Sequence, residues 1–174
     1  GADFIKIMIS GLMDFDRFGI LTQPGLDGEE IRELVHIAHS EGMAVMAHCN
    51  GAKAAIAAAN AGVDSIEHGA YLTEEALQAM AQAKVVWVPT LSTIGNLLGK
   101  GRYPDKGVQE ILESALQNVN AYRQLGGLVA CGSDAGAWAV PHGCETEVPL
   151  LRQILGSEAD AILARGAAVI RERF

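Results

Sequence analysis

Four short stretches end or carry an apolar run with a side chain that can hold a metal ion: Phe4-Ile5-Lys6-Ile7-Met8, Val45-Met46-Ala47-His48, Ser65-Ile66-Glu67-His68 and Ala130-Cys131-Gly132-Ser133-Asp134. Strands of a parallel α/β barrel deliver their C-terminal residues to one rim. A lysine, two histidines and an aspartate arriving from four such strands would converge there, and convergence of that kind makes a metal site. Imidazole nitrogens with anionic oxygens are a donor set that suits zinc.

Each residue also has a plainer reading. Lys6 sits in an apolar strand, where a bare ammonium is costly to bury, but a lysine stem can lie along apolar surface and release its charge to water. A single histidine at a strand end is more often hydrogen-bonded than ligating; two of them, His48 and His68, on consecutive strands favour neutral imidazoles facing one ion. Asp134, in Gly-Ser-Asp-Ala-Gly, could cap a turn, yet its place after the last strand favours a rim carboxylate. Glu67 directly precedes His68, so strand alternation is expected to point it away from the ligands, towards a structural ion pair. Alternation likewise turns Cys49 and Cys131 away, as small buried hydrophobes. His36 and His39 lie on a helix and read as surface or packing residues. His142, in Pro141-His142-Gly143, could touch substrate or sit in a mobile loop, and the sequence leaves both open.

The elements that must position these residues alternate strand and helix. Strands are expected over 4–9, 44–48, 63–67, 85–88 and 128–131. Asp27 with Glu30 forms a capping-box pattern before a helix carrying Ile31, Leu34, Val35 and Ala38. An Ala-rich helix over 51–61 stops at Gly62, and Thr73 caps a helix to Ala83. The longest helix buries Val108, Ile111, Leu112, Ala115, Leu116, Val119 and Tyr122 and ends at Gly126-Gly127. A helix near Glu147 to Leu155 follows, and Ser157 with Asp160 is expected to cap the last one. Five short apolar strands between helices indicate parallel βαβ units in a single α/β domain over residues 1 to 174.

The chain has 174 residues, short of the ~250 of a full eight-stranded barrel, with 13 Lys+Arg against 21 Asp+Glu and a net charge of −8. That balance, with no basic cluster, argues against nucleic acid or an anionic membrane surface as partner. No apolar run approaches ~18 residues, so no membrane span is expected. Three cysteines without paired spacing suit a reducing compartment, and a cytoplasmic setting is the expectation. The chain opens on Gly-Ala-Asp-Phe, so a targeting segment upstream would lie outside it.

The motifs together resemble the amidohydrolase superfamily, in particular the branch similar to imidazolonepropionases and Xaa-Pro or Xaa-Arg dipeptidases. The resemblance rests on Gly1 to Met8, Ala47-His48-Cys49-Asn50-Gly51, Gly62 to Gly69, Val88-Pro89-Thr90-Leu91 and Gly132 to Gly136, in family order and spacing. It implies that the five strands are the fourth to eighth of a (β/α)8 barrel. It further implies a carboxylated Lys6 bridging one or two divalent metal ions, zinc by preference, His48 and His68 on the second metal, and Asp134 on the first. Asp134 would take a proton from the attacking water and return it to the leaving amine. The expected activity is hydrolysis of an amide or peptide C–N bond in a small molecule such as a dipeptide or N-acyl amino acid. A cyclic-amide hydrolase or deaminase is the alternative on the same scaffold. The family's first-strand His-x-His pair and its β-sandwich have no counterpart here. A non-catalytic half-barrel, acting as an oligomer or with the missing barrel half through two open sheet edges, is therefore the alternative from another class.

Overall fold

Residues at the element ends settle most of the local structure. In the computed structural model, which describes residues 1–174, the Asp27 side chain accepts from the amides of Glu29 and Glu30, and the Glu30 carboxylate accepts from the Asp27 amide, so the capping box forms. Gly62 ends its helix in the left-handed conformation, φ 88°, which a glycine adopts without steric cost. Thr73 Oγ1 accepts from the Ala76 amide at the start of the next helix. The elements run β1 (Phe4–Met8), α1 (Gly28–Ser40), β2 (Ala44–Cys49), α2 (Ala52–Ala61), β3 (Ser65–His68), α3 (Glu74–Gln82), β4 (Val86–Val88), α4 (Ser92–Gly95), α5 (Asp105–Gln124), β5 (Leu128–Val129), α6 (Glu147–Leu155), a 3-10 turn (Gly156–Glu158) and α7 (Ala159–Arg173).

The five strands form one parallel sheet in sequence order. Register divides its residues into two faces. Ile7, Ala47, Ile66, Trp87 and Val129 are aligned across the strands and point to the helices. All but Ile7 are essentially buried there, with Ile31 and Val35 of α1, Leu77 and Met80 of α3, and Ile111, Val119 and Tyr122 of α5. The opposite, concave face carries the row Met8, His48, Glu67, Val88 and the row Lys6, Met46, Ser65, Val86. The sheet is a partial (β/α)8 barrel, its C-terminal strand ends forming one rim.

Three details depart from expectation. The short α4 interrupts what reads as a loop, because the Glu147 carboxylate supplies acceptors for its first amides. Ser157 and Asp160 do not cap α7: a 3-10 turn carries the chain into it, no side chain caps it, and Asp160 pairs with Arg152. Most consequentially, only one sheet edge is open. The Ala130 amide donates to the Trp87 carbonyl, 2.9 Å, so the Val129 carbonyl faces the other way, out of the sheet. Gly166 of α7 packs against it so closely that a Cβ would collide with the Val129 oxygen. From there α7 crosses the concave face. Its Ala167, Ile170 and Arg171 line a cavity with Lys6, Arg173 donates to the carbonyls of Asp64 and Lys84 at 2.8 and 2.9 Å, and the Phe174 ring meets Phe4 edge-on at 5.4 Å. β1 pairs with β2 alone.

Candidate active site

His48 and His68 reach each other by different routes. His48 follows the strand alternation of β2 onto the concave face, is 6% exposed, and holds its Nε2 3.4 Å from both the Gly11 carbonyl and the Asn50 amide nitrogen. His68 aligns with Cys49, whose side chain is buried against the helices, so alternation alone would turn it outward. A left-handed backbone at His68, φ 72°, returns it to the rim. The two rings lie 4.5 Å apart between centroids at 60°. Thr90 and Asp134, just beyond the ends of β4 and β5, share the left-handed conformation with φ of 47° and 57°. Such a conformation costs a non-glycine residue ~1–3 kcal/mol and persists where surrounding contacts enforce it, frequently at functional sites.

Both imidazoles are held neutral. Burial lowers the pKa of His48, against an opposing contact from the Gly11 carbonyl. Burial, followed by the charges of His48 and Lys6, pushes His68 down to about 3. The Thr90 hydroxyl engages His68 Nδ1 at 2.7 Å, which leaves Nε2 unengaged. Two neutral rings in contact, one fixed by a hydroxyl, fit the donor set for a divalent ion. No three His, Cys, Asp or Glu side chains are gathered closely enough to hold an ion by themselves.

Lys6 and Glu67 meet directly: the lysine Nζ donates to Glu67 Oε2 and Ser65 Oγ donates to Oε1 at 2.6 Å. This corrects the expectation that Glu67 points away from the site. Register places it beside His48 on the concave face, and it is His68 that leaves the alternation. Burial raises the Glu67 pKa, with the Lys6 charge opposing. Lys6, Glu67, His68 and Asp134 line one cavity of about 430 Å3. A second cleft, about 380 Å3, contains His48, His68 and Asp134 together with Asn50, Thr93 and an apolar and aromatic wall. His142 is not brought to either; it lines a neighbouring hollow with Lys100, Arg102 and Cys144. Cys131 is exposed and lines the Lys6 cavity, contrary to the expectation of burial, because β5 has already ended at Val129; Cys49 is buried as expected.

Several supporting residues carry no strong sequence signal. Asn50, 1% exposed, accepts from the Ala70 amide at 2.9 Å, and its own amide donates to Ser10 Oγ at 2.7 Å. Glu147, 2% exposed, accepts from the amides of Leu91 and Ser92 and from the Ser92 hydroxyl at 3.0, 2.6 and 2.7 Å. Ser92 Oγ is also 3.1 Å from the Ser133 carbonyl, which ties this network to the residue before Asp134. An Asn-Gly after a histidine and a glutamate in a first helical turn are the faint traces of these roles in the sequence.

Residues 1–158 match the amidohydrolase family model. The chain belongs to the amidohydrolase family. It is 33% identical over 131 residues to an uncharacterised protein of Mycobacterium tuberculosis, covering 71% of this chain and 35% of that protein. It is 31% identical over 140 residues to an ochratoxinase of Aspergillus niger, covering 77% of this chain and 29% of that one. Among solved structures, a Xaa-Pro dipeptidase with methionine bound in its active site superposes with a TM-score of 0.81 at 27% identity, over 99% of this chain and 45% of that one. The chain thus spans about a third of the length of the curated relatives it matches. No helix is long and apolar enough to cross a membrane.

Proposed function

We propose that the chain carries the metal-holding rim of a hydrolase acting on C–N bonds of small-molecule amides, a dipeptide or an N-acyl amino acid. The observation that carries this reading is the contact between two neutral imidazoles, His48 and His68, at the ends of adjacent strands, with Asp134 in the same cleft. A divalent ion, zinc by preference, would be held by His48 and His68 with Asp134 as an anionic oxygen ligand, and would acidify water and polarise a carbonyl. Asp134 then serves as the proton carrier, receiving a proton from the attacking water on a carboxylate oxygen and giving it to the departing amine. Thr90 holds the His68 ring, and Asn50 steadies the turn beyond His48.

Lys6 has two states in this reading. Paired with Glu67 it is an ammonium with a counter-ion; carboxylation to a bridging ligand requires that this pair open. Small amides fit the cleft, whose walls are largely apolar, and a cytoplasmic setting accords with the free cysteines. The second reading, an assembly partner for the complementary barrel half or a second copy, is favoured by β1, which is hydrogen-bonded on one side only.

The test is metal content. After dialysis against zinc, elemental analysis should find bound metal in the parent chain and a clear loss in both His48→Ala and His68→Ala, since each removes an inner ligand. Full retention in both variants would overturn the assignment. Amide hydrolysis by the parent, abolished in Asp134→Asn with metal intact, supports the enzyme; a metal-free, stable oligomer supports the assembly reading.

A further inference from the structure

The cleft beside His48 and His68 has a wall that the metal chemistry does not use. Phe15 and Tyr103 stack at 4.9 Å and 30°, forming a flat apolar surface, and Leu12, Met13 and Leu97 extend it. Arg102 stands at the mouth. Its guanidinium lies 4.1 Å from the centre of the Trp138 ring and 5.5 Å from that of Tyr103. Unlike Arg17, Arg123 and Arg152, which pair with Asp14, Glu158 and Asp160, it has no carboxylate partner. A cation–π contact fixes a guanidinium in place without neutralising it or using its in-plane N–H donors. Apart from the two neutral histidines, Arg102 is the one basic side chain lining this cleft. In a chain of net charge −8 it is a local attractor for an anion.

We propose that Arg102 is a specificity-determining residue that reads the free carboxylate of the substrate's amino-acid half, with the Phe15–Tyr103 wall taking an aromatic or large apolar side chain next to it. The preferred substrate class is then an N-acylated or N-terminally extended aromatic or large apolar amino acid with a free α-carboxylate. The planar fork of an arginine matches a carboxylate with two parallel hydrogen bonds, which a lysine cannot reproduce. This inference rests on the amide-hydrolase reading for the meaning of the bound group, but not on the metal for its binding.

The experiment uses the metal-stripped chain, so that no carboxylate can bind an ion. N-acetyl-L-phenylalanine and its neutral analogue N-acetyl-L-phenylalaninamide are titrated by calorimetry into the parent, Arg102→Gln and Arg102→Lys, with circular dichroism as a check of folding. The expected result is binding of the acid at least about tenfold tighter than the amide in the parent. That preference should vanish in Arg102→Gln and be partly kept in Arg102→Lys. Equal binding of acid and amide by the parent, no binding of either, or a preference that survives Arg102→Gln would each overturn the proposal. Failure of the hydrolase reading shows instead as zinc retained by the His48 and His68 variants, a result independent of these titrations.

Discussion

Replacing Glu147 by alanine should destabilise the chain more than any exposed substitution, and the magnitude can be worked from its three hydrogen bonds. Truncation leaves the buried amides of Leu91 and Ser92 without acceptors, at ~1–3 kcal/mol each. Part of that is returned, because burial already penalises the carboxylate and raises its pKa. A net loss of about 2–4 kcal/mol is expected, read in urea as a midpoint lowered by ~1–2 M at unchanged slope. Glu147→Gln keeps the shape but brings an NH2 group against a backbone N–H, and should cost ~1–3 kcal/mol. The pH dependence has a definite sign. A carboxyl whose folded pKa is raised binds its proton more readily in the native state, so its contribution is fully present below the ordinary glutamate range and shrinks as pH rises through the raised value. The stability difference between parent and Glu147→Gln should therefore be larger at pH 4 than at pH 7. Ser92→Ala removes a shared partner, and its effect should combine with Glu147→Ala non-additively by ~0.5–3 kcal/mol. A Glu147→Ala chain within ~0.5 kcal/mol of the parent, the scatter of ordinary surface changes, would refute the argument.

Gly166→Ala should lower stability by ~1–3 kcal/mol through overpacking against Val129, although alanine is the better helix former; urea unfolding checks it, and a gain in stability would contradict the close packing of α7 on β5. Iodoacetamide labelling followed by peptide mass mapping should modify Cys144 first, because Thr146 and then Asn96 hydrogen-bond its sulfur and lower its pKa. Exposed Cys131 should follow. Cys49, buried and pushed up to about 12, should react only on unfolding.

Much of this architecture was legible in the residues. Alternating apolar strands and capped helices gave the parallel sheet because binary pattern and end chemistry agree at Asp27, Gly62 and Thr73. His48 and His68 were recognisable as strand-end residues. What period-two reasoning missed is Glu67: the alternation holds for it and fails for His68, and a left-handed residue in a Glu-His-Gly run gives no sign of itself in composition. Glu147 and Asn50 escaped because their partners are backbone amides of distant segments, which only the tertiary structure brings near. The covering of β5 by α7 depends on the missing Cβ of Gly166, a single atom's absence within an otherwise ordinary helix.

Five non-glycine residues sit in the left-handed region: His68, Tyr71, Lys84, Thr90 and Asp134. They form an internal control for any saturation mutagenesis of this chain. At Lys84, which follows a helix end, glycine or asparagine should relieve the backbone and be tolerated or favoured, because the side chain serves no site contact there. At His68 and Asp134 the same replacements relieve the same backbone, so any loss they produce is free of conformational cost and belongs to the side chain's chemistry. The fold thereby separates, position by position, what a residue's backbone demands from what its functional group supplies.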